Sequence, residues 1–225
     1  MKQVLNFLSD LYDNNNKLWF DAHKKEYQQA NEKCNVIAEE LIHGISKFDS
    51  SISGISIKDC TYRIYRDVRF SPDKTPYKTH IGIYVCRGGK KSNFAGYYFH
   101  IQPKGNNFLE GNLLSAGLYL AEPKIIKSVR EEIDYNGEIF LENIKKADGF
   151  QFETYNKLKK MPKGFDENSK FAEYIKQKDF LLGKAISNNY LLQPNLAEKV
   201  VKEFKKTYNF ISQLNKAVEF VLEDN

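Results

Sequence analysis

The sequence predicts a single α+β domain, in which an antiparallel β-meander of three to five strands packs against a long N-terminal helix and C-terminal helices. Three observations lead to this prediction. Apolar residues repeat at helical spacing through the first 48 residues, apolar and polar residues alternate between 61 and 114, and helical spacing returns after 123. The chain has no internal repeat and no linker, so we expect one domain over residues 1–225.

The N-terminal part predicts a short helix followed by a long one. Apolar residues recur at helical intervals from Val4 to Leu11, and one Asp and three Asn residues then favour a helix end. From Lys17 to about Phe48 a single apolar stripe steps by three or four residues. The stripe consists of Phe20, His23, Tyr27, Ala30, Cys34, Ile37, Leu41 and Ile45. An unbroken helix over this stretch would be roughly 48 Å long.

The middle of the chain predicts the strands of the meander. Side chains that alternate between apolar and polar place successive residues on opposite faces of a sheet. The predicted strands are residues 61–70, 79–87, 94–102 and a short one around 108–114. A Gly-Gly turn joins the second and third of these strands.

The C-terminal part predicts helices. Pro123 and Pro194 suit the first turn of a helix, because proline lacks the N–H that a first turn leaves unpaired. The predicted helices are residues 123–133, 137–146, 169–177 and one from Pro194 nearly to the end of the chain, with a loop at 161–164.

Composition excludes several classes of protein. The net charge of +5, from 34 basic and 29 acidic residues, is milder than most nucleic-acid-binding proteins carry. The three cysteines, Cys34, Cys60 and Cys86, are too few and too far apart for a disulfide framework or a metal-ligand pattern. Four histidines without HxH or HExxH spacing make a zinc site unexpected. The sequence therefore predicts no metal site.

The location of the protein is predicted from what its sequence lacks. The first residues have neither the apolar core nor the cleavage site of a signal peptide. No apolar run approaches the roughly 18 residues that would suggest a membrane span. We expect a cytoplasmic protein without membrane contact.

The segment from Arg63 to Lys78 is the first candidate site. It carries five cations and only two acids, and the guanidinium group of arginine suits phosphate or carboxylate anions. Asp67 lies between two arginines on the same predicted strand face and would orient them. The predicted ligand-binding residues are Arg63, Arg66, Asp67, Arg69, Lys74, Tyr77 and Lys78.

The residue pattern of the basic segment also fits two roles that involve no small molecule. In a purely structural role, the arginines pair with neighbouring acids, since a buried guanidinium needs a partner. In an interaction module, the segment contacts nucleic acid or an acidic protein. The sequence leaves both alternatives open.

The third and second predicted strands supply candidates for proton transfer. Gly96, Tyr98 and His100 share one strand face because side chains alternate, and His80, Gly82 and Tyr84 share a face in the same way. If these faces coincide with that of Arg63 and Arg69, the sheet carries a polar floor suited to an anion and to proton transfer. His100 and Tyr98 are the predicted catalytic residues. The alternative is that His100 is a hydrogen-bonded structural residue, which is the commoner role of a lone histidine in a strand.

Familiar catalytic and cofactor-binding motifs are missing from the sequence. There is no Walker loop, no GxGxxG after a strand and no GxSxG elbow. No cofactor is therefore predicted, and the sequence leaves open whether the protein is an enzyme.

Five motifs carry a resemblance to a known family. They are FLSDLYDNNNKLWFDAHKKEY from residue 7, RIYRDVRFSPDKTPYKTHIG from residue 63, AGYYFHIQP from residue 95, LYLAEPKIIKSVREEI from residue 118 and MPKGFD from residue 161. With these motifs the chain resembles, over nearly its whole length, the domain of unknown function 2461 family, conserved hypothetical proteins of bacteria and fungi. The resemblance implies one compact domain and brings with it no activity, cofactor or catalytic residue. One departure is local: relatives tend to have a Gly-Gly-Leu-Trp-like segment where this chain has SAGLY at 115–119.

Overall fold

A computed structural model describes residues 1–104 and 111–223 and has the predicted α+β fold. The helices are α1 Lys2–Asp13, α2 Lys17–Ala22, α3 Lys24–Ser46, α4 Ile57–Cys60, α5 Pro123–Lys146, α6 Ala172–Ile175, α7 Asn188–Leu191, α8 Leu196–Lys206 and α9 Tyr208–Glu223, with a 3-10 turn at Ser50–Ile52. The strands are β1 Ile81–Cys86, β2 Gly96–Ile101, β3 Leu113–Leu118, β4 Gln151–Phe152 and β5 Phe180–Ala185. They form an antiparallel sheet in the order β1-β2-β3-β5-β4.

The predicted long N-terminal helix is interrupted at one residue. His23 leaves helical geometry, with φ −107° and ψ 18°, so α2 and α3 are separate helices. Nδ1 of His23 lies 2.7 Å from the carbonyl oxygen of Trp19, and the two rings stack with their centres 4.0 Å apart. Asn16 caps α2 by accepting a 2.9 Å hydrogen bond from the backbone N–H of Trp19. The predicted position of the apolar stripe is confirmed, whereas the prediction of one continuous helix is wrong.

One face of the sheet forms the hydrophobic core with the helices. Tyr97 and Phe99 of β2, Leu114 of β3 and Leu182 of β5 are completely buried on this face. Helices α3, α8 and α9 cover the face through contacts with β1 and β3. Each buried aliphatic or aromatic side chain contributes roughly 1.5–3 kcal/mol to folding. Tyr97 also donates a 2.9 Å hydrogen bond to Asp49, so its hydroxyl is satisfied inside the core.

The predicted strand at 61–70 is wrong. Only two isolated bridges occur there, Thr61 with Ile83 and Tyr65 with Tyr77. The segment instead folds back on itself, because Arg66 N–H donates to the carbonyl of Pro76 and the segment's other polar groups pair locally. Residues 61–80 therefore form a loop beside the edge strand β1 rather than a strand of the sheet.

The other predicted strands have mixed outcomes. The predictions at 79–87 and 94–102 are confirmed as β1 and β2, each a few residues shorter. The short strand predicted around 108–114 lies largely outside the described residues, and β3 begins at Leu113. Strands β4 and β5 were not predicted, since residues 180–182 are a continuous apolar run without alternation.

The predicted C-terminal helices are also partly corrected. The two helices predicted over 123–146 form one helix, α5, with a kink at Asn136. The helix predicted over 169–177 is reduced to α6. The last predicted helix is divided at Thr207, whose hydroxyl donates a 2.8 Å hydrogen bond to the carbonyl of Phe204. The predicted loop at 161–164 is confirmed.

Candidate functional site

The face of the sheet that points away from the helices carries small and polar side chains. Strand register places Gly82 opposite His100, Tyr84 opposite Tyr98, and Tyr98 opposite Ser115. Directly opposed residues point to the same side of a sheet, so all five lie on one face. The alternation in the two strands thus brings the tyrosines and His100 together.

A cavity of about 520 Å³ lies over this free face. The walls of the cavity come from residues 61–64, from Lys78 and Lys90, and from Tyr119 and Tyr155. The last two tyrosines are 51% and 63% exposed, so they stand at the mouth of the cavity. This volume falls within the range of roughly 300–1,000 Å³ that small-molecule sites occupy.

The charged residues that line the cavity are all cations. Arg63, Lys78 and Lys90 line it, and no aspartate or glutamate from residues 1–104 or 111–223 does. We refer to these three residues as the cationic cluster. Asp67 and Asp59 interact electrostatically with Arg63 and Lys90 but do not line the cavity. Because the described charges that face the cavity are cations, its wall is electropositive.

The guanidinium group of Arg63 has no protein partner in the described part of the chain. It is exposed and forms neither a side-chain hydrogen bond nor an ion pair there. All five of its N–H groups are therefore available to a ligand or to solvent. Arg63 differs in this respect from Arg66 and Arg69.

The two lysines of the cationic cluster are held around one aromatic ring. Nζ of Lys78 lies 5.5 Å and Nζ of Lys90 lies 5.7 Å from the ring centre of Tyr62. Lys78 donates a 3.0 Å hydrogen bond to the carbonyl of Arg63, and Lys90 donates to the carbonyl of Lys58. Burial, and then the charge of Arg63, lower the pKa of Lys78. Cation–π contacts and carbonyl acceptors position both ammonium groups without neutralising them.

A chain of hydrogen bonds runs inward from the floor of the cavity. The Tyr98 hydroxyl lies 2.8 Å from Nδ1 of His100, and Nε2 of His100 lies 2.9 Å from Oε1 of Gln102. Nε2 of Gln102 donates in turn to the carbonyl of Lys104 at 2.9 Å. His100 is only 1% exposed, and burial lowers its pKa while burial raises that of Tyr98. The histidine is therefore neutral at pH 7, and both of its ring nitrogens are engaged by Tyr98 and Gln102.

His80 is the second histidine of the cavity. Its ring centre lies 4.7 Å from that of His100. Burial, followed by the neighbouring His100, Lys78 and Arg66, lowers the pKa of His80 to about 4. Its imidazole is thus neutral at pH 7 and forms no hydrogen bond to other residues placed by the structure. One of its nitrogens is a free acceptor and the other a free donor.

Gly82 makes room for the Tyr98 side chain. A Cβ atom at Gly82 would lie 2.6 Å from the Tyr98 hydroxyl oxygen and 2.7 Å from its ring. Only a glycine allows the ring to lie across β1, where its hydroxyl meets His100. The geometry of the hydrogen-bonded chain therefore depends on a residue of the neighbouring strand.

The comparison with protein families covers all of these residues. The family model described as "Conserved hypothetical protein (DUF2461)" matches residues 3–212 of the chain. The chain belongs to this family. No curated protein and no solved structure matches it. The described walls and floor of the cavity all lie inside the matched region, so the site belongs to the DUF2461 domain itself.

The remaining predicted ligand-binding residues of this DUF2461 protein do not line the cavity. Arg66 forms an ion pair with Asp73 at 2.5 Å and donates to the Thr75 carbonyl at 3.1 Å. Arg69 pairs with Asp67 through two hydrogen bonds of 2.9 and 2.6 Å. The structure thus brings Arg63 and Lys78 to the predicted catalytic residues Tyr98 and His100 but leaves Arg66, Asp67, Arg69, Lys74 and Tyr77 elsewhere.

Two of those five residues help to shape the loop. Lys74 donates a 2.9 Å hydrogen bond to the carbonyl of Val68. Tyr77 is buried, and its ring stacks on that of Phe20 with centres 3.9 Å apart. Both therefore act on the fold of the DUF2461 domain, at a distance from the cavity.

Several residues of the site were not predicted from the sequence. His80 belonged to the predicted polar floor through its alternation with Gly82 and Tyr84, but it was not named among the candidate site residues. Tyr155 follows β4 and lies far from β1 in sequence, so no local pattern links it to the site.

Metal sites, reactive thiols and membrane spans receive no support from the DUF2461 structure. Among residues 1–104 and 111–223, no group of three His, Cys, Asp or Glu side chains could hold a metal ion. The three cysteines are free and buried. In the same residues, no helix combines the length and the apolar character that crossing a membrane requires.

Proposed function

We propose that the cavity of this DUF2461 domain binds a small organic molecule that carries a phosphate or carboxylate group. The observation that carries this proposal is the cationic cluster: Arg63, Lys78 and Lys90 line the cavity, and no described carboxylate does. An anion placed between them pairs directly with cations that form no ion pair with the described residues. Arg63 offers the bidentate geometry that such anions prefer.

The rest of the ligand lies on the aromatic floor. Tyr84, Phe94 and Tyr98 line the cavity, as does Tyr62 of its wall. Aromatic side chains contribute large apolar contact areas at little entropic cost. This combination favours a ligand with an anionic end and a carbon body rather than a free inorganic ion.

Arg66 and Asp73 support the site from outside. Their ion pair lies within the loop that runs from Ile64 to Lys78. The two ends of this loop are joined by a 2.8 Å backbone hydrogen bond, which Lys78 N–H donates to the carbonyl of Ile64. The loop thereby fixes the relative position of Arg63 and Lys78. In this proposal, Arg66 acts on the ligand indirectly.

His100 is poorly placed to exchange a proton directly with a ligand, so we assign binding and no reaction to the cavity. Both nitrogens of His100 are engaged inside the protein, so a ligand meets the Tyr98 oxygen or the His80 ring first. A proton could pass from a ligand to His100 only by way of Tyr98. Such a transfer would create a buried imidazolium next to His80, which is unfavourable.

Arg63 and Arg69 provide the matched pair that tests the proposal. Wild-type protein, Arg63→Met and Arg69→Met are titrated calorimetrically with a panel of nucleotides, sugar phosphates and dicarboxylates. We expect at least one member to bind wild type and Arg69→Met equally, and Arg63→Met at least about tenfold more weakly, since a charged hydrogen bond contributes roughly 1.5–3 kcal/mol. No binding across the panel, or equal losses in the two variants, contradicts the proposal.

Single-stranded nucleic acid is a second candidate ligand. The exposed Tyr62 stands beside Lys78 and Lys90, an arrangement that single-strand binding proteins use for base stacking. Tyr119 and Tyr155 are also exposed at the cavity, but their charged neighbours are the acids Asp179 and Glu153. The pairing of Arg66 and Arg69 with acids leaves few free charges on the basic segment itself. Binding of an oligonucleotide that weakens steeply with salt favours this candidate, and a lack of retention at low salt excludes it.

A further inference from the structure

The carbonyl of Lys104, at the inner end of the hydrogen-bonded chain, determines which atom donates in each hydrogen bond from Gln102 to Tyr98. The amide nitrogen of Gln102 donates to the Lys104 carbonyl, which turns the amide oxygen Oε1 towards His100. An amide oxygen only accepts, so Nε2 of His100 carries a hydrogen. His100 is therefore in the Nε2–H tautomer.

This tautomer determines whether the Tyr98 hydroxyl donates or accepts the hydrogen bond with His100. In a neutral imidazole with hydrogen on Nε2, Nδ1 only accepts, so Tyr98 donates its one proton to His100 at 2.8 Å. Burial favours the neutral form of His100 and the protonated form of Tyr98. Towards the cavity, the Tyr98 oxygen has lone pairs and no hydrogen to offer.

The surroundings of Tyr98 restrict the group that can approach its oxygen. The group must be a hydrogen-bond donor, because two acceptors facing each other repel. An ammonium group is disfavoured, because Arg63, Lys78 and Lys90 line the same cavity and no described carboxylate does. What remains is a neutral donor: a hydroxyl or an amide N–H.

The neighbouring groups on the same floor suit such a donor. His80 has a neutral imidazole beside His100 without a hydrogen-bond partner among residues 1–104 and 111–223, and Ser115, directly opposite Tyr98, is a buried residue with a small hydroxyl. Both can take part in hydrogen bonds with a hydroxylated ligand. The floor is therefore polar but uncharged, whereas the wall is cationic.

Resting on the proposed function, we propose that the ligand is a polyhydroxylated anion of the sugar-phosphate or hydroxy-acid class. Its anionic group lies at the cationic cluster, and Tyr98 accepts a hydrogen bond from one of its neutral hydroxyl groups. Tyr98 is thereby a specificity-determining residue that favours hydroxyl-bearing anions over anions with an ammonium group or a bare hydrocarbon chain.

Two probes with the same anionic group separate this inference from the proposed function. Ribose 5-phosphate carries hydroxyls, and pentyl phosphate has five carbons without hydroxyls. Both are titrated calorimetrically into wild type, Tyr98→Phe and Arg63→Met. Tyr135→Phe is the matched control, since this tyrosine is 85% exposed on α5 and does not line the cavity.

We expect Tyr98→Phe to weaken the binding of ribose 5-phosphate about tenfold and that of pentyl phosphate less than about twofold. The reason is that only the first probe loses a hydrogen bond to a buried group. Arg63→Met should weaken the binding of both probes, and Tyr135→Phe should weaken neither. If Tyr98→Phe does not fold, Gly82→Ala, which crowds the Tyr98 hydroxyl, should change the two affinities in the same unequal way. Equal effects of Tyr98→Phe on two Arg63-dependent probes overturn this inference alone. If ribose 5-phosphate does not bind while another anion of the panel binds in an Arg63-dependent manner, this inference fails and the proposed function stands. If no panel member binds, or if binding does not depend on Arg63, both fail.

Discussion

The imidazole rings of His80 and His100 lie 4.7 Å apart, centre to centre, on the floor of the cavity. Two protonated rings at this distance would repel, and burial disfavours charge on both. The pair therefore stays neutral at pH 7, which makes the floor a set of hydrogen-bonding groups beside a cationic wall. It also makes the stability of the fold sensitive to acid.

We expect the free energy of unfolding to fall as the pH drops from about 6.5 to about 4. The folded pKa of His80 is lowered to about 4, whereas an unfolded histidine titrates near its ordinary value of about 6.5. Between these values the unfolded state binds the extra proton, so stability is present above about pH 6.5 and is lost towards pH 4. The contribution of His80 is on the order of 2 kcal/mol.

Urea unfolding at several pH values measures this dependence. His80→Gln should flatten the profile between pH 4 and 6.5, and His43→Gln, at an exposed position of α3, should not. Identical profiles for wild type and His80→Gln would show that the ring titrates freely in the folded protein. The charged and titratable neighbours of His80 are His100, Lys78 and Arg66, so the comparison isolates one member of that group.

The period of two along β1 and β2 made the free face predictable. Alternation alone places Gly82 and Tyr84 on one side, and Tyr98 and His100 on one side, and antiparallel pairing joins the two sets. Predicting that the two sets of side chains meet requires the pairing register of β1 and β2, which a single sequence does not provide. The same limit hid Tyr155, which reaches the cavity from another part of the chain.

The basic segment shows why an alternating pattern alone does not establish a strand. Arg63 and Arg69 share a face only if 61–70 is a strand, and local partners prevent that strand from forming. Arg66 finds Asp73 and Thr75 within its own loop, and Arg69 finds Asp67 two residues away. Short-range polar pairing overrides an alternating pattern where proline residues interrupt the backbone donors.

Removing Arg66 should destabilise the fold more than removing Arg69. The Arg66 side chain is three-quarters buried and bonds Asp73 and the Thr75 carbonyl, whereas the Arg69 side chain is 76% exposed. We expect Arg66→Met to cost about 1–2 kcal/mol because the partly buried Thr75 carbonyl and the Asp73 carboxylate lose a charged donor. Arg69→Met should change stability by less than about 0.5 kcal/mol, as most exposed ion pairs do. Chemical denaturation of both variants measures the difference, and equal losses would argue against a bracing role for Arg66.

The cysteines should be unreactive in the folded protein. Burial raises the pKa of Cys34 and of Cys60 to about 12 and that of Cys86 to about 11, so all three remain thiols at neutral pH. A thiol-specific disulfide reagent at pH 8 should label none of them within minutes and all three after unfolding in guanidinium. Fast labelling of one cysteine in native protein would identify a locally open element around it.

The N-terminal turn and the loop of the site are joined by one asparagine. The Asn15 side chain donates a 2.8 Å hydrogen bond to the carbonyl of Tyr77 and accepts one of 3.1 Å from its N–H, as a neighbouring strand would. Tyr77 is buried and stacks on Phe20, so without Asn15 two partly buried backbone groups lose their partners. We expect Asn15→Ala to lower the free energy of unfolding by about 1–3 kcal/mol. Asn14→Ala, at an exposed position next to it, should cost less than about 0.5 kcal/mol.

The consequence of Asn15→Ala should reach the cavity, because Lys78 follows Tyr77 directly and belongs to the cationic cluster. Hydrogen exchange should therefore speed up at the amide of Lys78, which is bonded to the carbonyl of Ile64, before it speeds up in the sheet. A uniform increase across β1 and β2 would mean that Asn15 stabilises the domain as a whole and has no local effect on the loop.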